Sequence, residues 1–142
     1  MIKQNIVFIE NKAGSLKRVT GLLANNNINI YGFACFDAPE FAIFRMICDN
    51  PDKAEIILNQ SGYMNRITQA IVVDMNDQVG GLDELLKIMA DSNVSLDYIY
   101  TSFHRKDLRP VVILHSEDIT VTESVLKNNG FKVFSAADEL EK

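Results

Sequence analysis

The chain has 142 residues, 47% of them hydrophobic and 23% charged, with a net charge of −5; this is the composition of one globular domain or two very small ones, and it excludes a disordered chain. The charge is uneven, +1 over residues 1–67 and −6 over residues 68–142, and an acidic chain without a basic stripe is a poor match for a phosphate backbone. No apolar run approaches the roughly 20 residues that cross a bilayer, and "MIKQNIVFIENK" at the start has neither the apolar stretch nor the cleavage site of a signal peptide, so the expectation is a cytoplasmic protein with no membrane and no nucleic-acid partner.

Residues 2–9, "IKQNIVFI", read as a strand rich in Ile and Val. "NKAG" turns the chain, and Leu16, Val19, Leu22 and Leu23 keep the helical period, which predicts an amphipathic helix over 15–25. Asn25, Asn26 and Asn27 end it, because asparagine tolerates the left-handed conformation that closes a helix. Residues 28–36 and 41–48 are β-rich runs around Asp37-Ala38-Pro39-Glu40, a hairpin. Asn50-Pro51-Asp52 starts a second helix with a cap, a first-turn proline and an acid. Ser61-Gly62 ends it, and 63–67 form a short strand.

The order then repeats. Residues 69–75, "QAIVVDM", are the next first strand, and Leu82, Leu85, Leu86 and Met89 mark the next helix. Residues 94–103 and 110–115 form a hairpin around "HRKDLR", residues 118–128 a β-branched helix, and "FKVFSA" (131–136) the last strand. The fold class is therefore α+β: two ferredoxin-like βαββαβ repeats, residues 1–67 and 68–142, each with its helices on one face of an antiparallel sheet. In "INIYGFACF" and "FAIFRMIC" both alternating faces are apolar, where a sheet covered on one side reads apolar-in, polar-out. The second face wants cover, and a homodimer supplies it.

Each repeat puts a glycine, Gly14 or Gly80, between its first strand and its first helix, and "ENKAGSLKRVTGLLANNNINI" aligns on "NDQVGGLDELLKIMADSNVSL" at that glycine. A helix N-terminus offers free N–H groups to an anion, and a glycine there lets a ligand approach the backbone. Asn11 and Asn29 add amides that both donate and accept, which suits a zwitterion. The same residues also read simply as tight-turn glycines and turn-capping asparagines.

The segment "ENKAGSLKRVTGLLANNNINI" resembles the start of an ACT domain, a small βαββαβ module that binds amino acids and regulates metabolic enzymes. The family's usual loop is Asn-x-Pro-Gly-x-Leu, followed by a helix and an Asn-Ile strand; the chain has Asn11-Lys12-Ala13-Gly14-Ser15-Leu16 and Asn29-Ile30, then Asp77-Gln78-Val79-Gly80-Gly81-Leu82 and Ser95-Leu96. Nearly all of the chain is similar to stand-alone proteins made of two ACT domains. The resemblance implies that Asn11 and Asn29 match positions that contact the bound amino acid in some members, and that Gly14 and Gly80 match the loop glycine where ligand binds. Ala13 and Val79 replace the family's proline, and Asp77 and Ser95 replace the two asparagines in the second repeat, so the resemblance implies that the first repeat is the better recognition site and that the second is a weaker site, a differently selective one or mainly a scaffold. The implied partners are a free amino acid, a second copy and a metabolic enzyme. The alternative is a ligand-free assembly or adaptor module that docks on such an enzyme.

No other pattern competes. His104 and His115 lack metal-ligand spacing, and Cys35 and Ser15 have no base that the sequence locates, so no metal, no cofactor and no catalysis are expected. Cys35 and Cys48, placed opposite about residues 42 and 29 in the hairpin, are expected as two reduced core thiols. Strand aromatics such as Phe33 and Phe36 lack the motif of an RNA-recognition module.

Overall fold

The computed structural model describes residues 1–142. Its chain forms two compact units, Lys3–Thr68 on the one hand and Gln69–Lys142 with Met1–Ile2 on the other.

The unit Lys3–Thr68 holds β1 (Ile2–Glu10), α1 (Ser15–Asn25), β2 (Ile30–Asp37), β3 (Phe41–Cys48), α2 (Pro51–Gln60) and the first part of β4 (Asn65–Asp74). The strand order is β2-β3-β1-β4. Val7 lies opposite Phe44, and Cys35 also faces Phe44 from the other side, while the Phe8 N–H donates to the Met64 carbonyl at 3.0 Å. Alternation then sorts the side chains: Val7, Ile9, Phe44, Met46 and Cys48 pack with Val19 and Leu23 of α1 and Ala54 and Leu58 of α2 in one core. On the opposite face Phe8 and Phe36 are both partnered with Ile43, and the Phe8 and Phe41 rings meet edge-on at 5.6 Å. Phe36 is 48% exposed and Phe41 37%.

The other unit continues β4 into α3 (Gly81–Asp91), β5 (Leu96–Phe103), β6 (Pro110–Ser116) and α4 (Ile119–Asn128), with strand order β4-β6-β5. Ile71, Val73, Val112 and Leu114 pack with Leu85 and Met89 of α3 and Leu126 of α4. The β-branched start of α4 is held helical by Asp118, whose side chain accepts from the Val121 N–H at 3.3 Å. His104 is buried, its Nε2 2.7 Å from Asp74 Oδ1 and its ring edge-on to Phe134.

The repeated residues perform repeated work. Asn27 (φ 58°) and Asn93 (φ 57°) take the left-handed conformation after α1 and α3, where the following N–H groups, of Ile28 and Val94, close back on the carbonyls of Leu23 and Met89. Two expectations change. The strands expected at 63–67 and 69–75 are one continuous strand, β4, because Arg66-Ile67-Thr68-Gln69 holds no residue that breaks an extended chain. The strand expected at 131–136 is reduced to one bridge, Val133 to Val73. There the Glu139 carboxylate accepts from the N–H groups of Ser135 and Ala136, which turns the chain into a short 3-10 helix, Ala137–Leu140.

Candidate functional site

The loop between β1 and α1 is a turn closed by the Ser15 N–H donating to the Lys12 carbonyl at 3.2 Å. Gly14, with φ 83° and ψ −8°, occupies its third position, the values that a type II turn requires there. Ala13 stands at the second position, which proline also accepts. The second repeat builds the same turn: the Gly81 N–H donates to the Gln78 carbonyl at 3.0 Å, Gly80 has φ 84° and ψ 3°, and Val79 stands where Ala13 does. Because glycine has no side chain, neither α1 nor α3 has a side-chain cap, and the first-turn N–H groups beyond the turn bond, such as that of Leu16, are open to an acceptor.

The two helix starts differ in charge and space. α1 has no acid in its first turn and carries Lys17 and Arg18, whereas α3 has Asp83 and Glu84 there, with Asp77 just ahead. An anion is therefore favoured at the first and opposed at the second. Gly81 is buried, and a Cβ on it would lie 2.1 Å from the Asn76 carbonyl oxygen. At the matching position Ser15 is buried, with its Oγ accepting from Arg18 Nη2 at 3.2 Å. Asp77, Val79 and Leu82 are exposed.

Around the first loop a cavity of about 470 Å³ is lined by Glu10, Asn11, Lys12, Ser15, Leu16, Cys35 and Asp37, with Ile9 and Ala42. Asn11 Nδ2 donates to the Ala38 carbonyl at 3.1 Å, tying the loop to the hairpin tip. Lys12 pairs with Glu10 at 2.7 Å, and that hydrogen-bonded ammonium holds the Glu10 carboxyl below its usual range. Asn29 is not there. It is exposed at the opposite end of β2, its N–H donating to Asp49 Oδ1 at 3.0 Å, and the eight steps from it to Asp37 span roughly 26 Å. The structure thus brings Asn11, Gly14, Ser15 and Leu16 together and leaves Asn29 out of that group.

Among the residues that sequence reading did not place here are Cys35 and Asp37. Cys35 was expected in the core and is exposed: it lies opposite Phe44 rather than residue 42, on the outer strand of its unit, where one side has no covering strand. Cys48 is a core thiol as expected, buried with its Sγ donating to Asn5 Oδ1 at 3.4 Å, and burial pushes its pKa up to about 11. Burial also raises the Cys35 pKa, in the same direction. Iodoacetamide on the native protein at pH 8 is accordingly expected to alkylate Cys35 and spare Cys48; peptide mass mapping that finds Cys48 modified first would contradict the packing around it.

No group of three His, Cys, Asp or Glu side chains is placed to hold a metal ion, and His115 is paired with Asp97 at 2.7 Å and stacked on Tyr98. No helix is long and apolar enough to cross a membrane.

The same turn is used twice, each time with a left-handed glycine opening a helix that has no side-chain cap. The family described as "ACT domain pair" matches residues 1–141, and the chain belongs to that family. Among solved structures, protein BT0572 from Bacteroides thetaiotaomicron is similar with 27% identity and a TM-score of 0.89, over 99% of this chain and 96% of that one. The ligand-free regulatory subunit of aspartate kinase from Thermus thermophilus has the same fold at 15% identity and a TM-score of 0.62, over 90% of this chain and 91% of that one. Aspartate kinase from Synechocystis has it at 16% identity and a TM-score of 0.56, over 94% of this chain and 26% of the longer one. No curated protein matches the sequence.

Proposed function

We propose that the protein is an amino-acid sensor whose working site is the Asn11–Leu16 loop, and that binding there regulates a metabolic enzyme. One observation carries the reading: α1 begins at a glycine with no side-chain cap and opens on the cavity that Asn11 lines. The ligand carboxylate takes the open N–H groups at the start of α1, including that of Leu16; the Ser15 N–H is already spent on the turn. The ligand ammonium takes the Asn11 side-chain oxygen, whose amide nitrogen is engaged with Ala38. In the second repeat Asp77, Gly80 and Leu82 stand around a helix start already surrounded by acids, which argues for one carboxylate site per chain. The sites of the two repeats follow a division of the chain into ACT domains at 1–67 and 68–142. Two free thiols suit a reducing compartment, and the cytoplasm is the proposed location.

The test is a thermal shift of the full chain against the twenty amino acids, followed by titration calorimetry. A ligand at 100 times its dissociation constant adds about 2.7 kcal/mol to stability. Because Cys35 lines the cavity, the ligand found is also expected to slow alkylation of Cys35. A chain that no amino acid stabilises is an adaptor, and the sensor reading then fails.

The same reading includes a homodimer. Phe36 and Phe41, with Phe8 and Ile43 beside them, form an exposed apolar group on the face of the sheet away from α1 and α2, and a second copy is the proposed cover. Phe36→Asp is expected to move the mass in light scattering from dimer toward monomer at tens of micromolar. A wild type that is monomeric at that concentration rejects the dimer. Ligand at a regulatory site acts by favouring one arrangement of such an assembly, or of its enzyme partner, over another.

A further inference from the structure

Next to the loop cavity lies a second one of about 410 Å³, lined by Leu16, Lys17, Thr20, Ile30, Phe33 and Phe44, within the size range of small-molecule sites. Four of the six are large apolar side chains. Phe44 is buried, and its ring lies 6.0 Å from that of Phe33. Phe33 is 60% exposed and Leu16 38%, so this groove presents apolar surface to solvent on the helix-covered side of β2. No carboxylate lines it.

The groove is continuous with the loop cavity. Leu16 lines both. Along β2, Cys35 lines the loop cavity and Phe33, two residues back on the same face, lines the groove, a step of about 7 Å. That is about the reach of a phenylalanine side chain from its α-carbon, and a leucine side chain covers roughly half of it. An amino acid with its carboxylate at the start of α1 and its ammonium at Asn11 can therefore extend over Leu16 toward Phe33 and Phe44, along a wall more apolar than the neighbouring cavity that Glu10, Lys12 and Arg18 line.

We infer that the ligand is an amino acid with a large apolar side chain, and that the groove between α1 and β2 selects it. The inference rests on the sensor reading of the Asn11–Leu16 loop and adds the chemical class of the ligand. Burying such a side chain against Leu16, Ile30, Phe33 and Phe44 raises affinity over a small polar amino acid roughly tenfold to a hundredfold. A cationic side chain gains nothing there, since nothing that lines the groove pairs with it, and an anionic one would find only Lys17, whose Nζ reaches along α1 toward Gly21.

The test is calorimetry of the full chain with L-phenylalanine, L-leucine, glycine, L-serine, L-aspartate and L-lysine, repeated on Phe33→Ser and Thr20→Glu, with sedimentation velocity on each variant. Neither substitution touches the loop, and Phe33 is exposed enough for its variant to fold. The expected result is that phenylalanine or leucine binds at least tenfold more tightly than the other four. Both variants are expected to lose that preference while keeping weak binding of the amino-acid head, seen with glycine. Tighter binding of serine, aspartate or lysine overturns the groove's role and leaves the loop reading standing. So does a preference that survives both substitutions. A Phe33→Ser variant that changes mass without changing preference shows the groove to be an interface between copies and also overturns it. If none of the six binds, the inference fails, and the loop reading fails with it only if none of the twenty amino acids stabilises the chain.

Discussion

Gly81→Ala is expected to cost roughly 3 kcal/mol of stability, at the upper end of what overpacking does, and to lower the melting temperature by about 10 °C at this chain length. The added Cβ would sit 2.1 Å from the Asn76 carbonyl oxygen and 3.2 Å from its carbon. Backbone cannot swing aside as a side-chain end can. The Asn76 oxygen also accepts the Gln78 N–H at 3.0 Å, and the Gly81 N–H closes the turn on Gln78, so displacing the carbonyl disturbs both bonds that shape the loop. The matching change in the first repeat, Ser15→Ala, removes only the Oγ contact with Arg18 and is expected to stay within about 1 kcal/mol. Thermal denaturation by circular dichroism of the two variants gives the comparison. Equal stability would mean that the Asn76 loop yields freely.

Gly14→Val is expected to act on binding more than on folding. Space is not the obstacle, since a Cβ there would meet only Arg18 Nη1, at 3.4 Å. The obstacle is φ 83°, a conformation that a β-branched residue holds at a cost of about 2 kcal/mol. Relief of that strain means turning the backbone out of the left-handed region, which moves the start of α1 and the N–H groups that take the carboxylate. Affinity for the amino acid is expected to fall at least 100-fold, about 2.7 kcal/mol. Gly14→Asn is the companion variant, because asparagine tolerates the left-handed region; it is expected to keep most of the stability that valine loses. Calorimetry showing wild-type affinity in Gly14→Val would remove the ligand from this loop.

Much of the architecture is legible locally. The residues that start and stop α1, Gly14 and Asn27, have conformations dictated by their own chemistry, and the helix runs over Ser15–Asn25 as its apolar period predicts. Relations between strands were harder to read. Cys35 is expected in the core because unpaired cysteine is among the most buried residue types, but the hairpin closes with Asp37 opposite Ala42, and an irregularity between Ile30 and Gly32 shifts the register again. A strand's period says which face a residue takes, and nothing about which strand ends up outermost. The same gap affects Asn29. A short motif brings Asn11 and Asn29 together on paper, while Asn29 precedes β2, which starts at Ile30, and Asn11 is tied to Ala38, just past its last residue Asp37. At the C-terminus the β-rich "FKVF" was legible and the capture of its next two N–H groups by Glu139 was not, since that carboxylate comes from beyond the segment.

The passage from one unit to the other falls between Thr68 and Gln69, inside β4. A protease needs a stretch of chain it can draw into its cleft, and an extended, hydrogen-bonded strand offers none. Limited digestion should therefore nick the chain at its hairpin tips, near Pro39 and Lys106, before it parts the repeats. For anyone cutting the gene in two, the join is equally unhelpful: each half would carry the frayed end of a strand that was made to be shared.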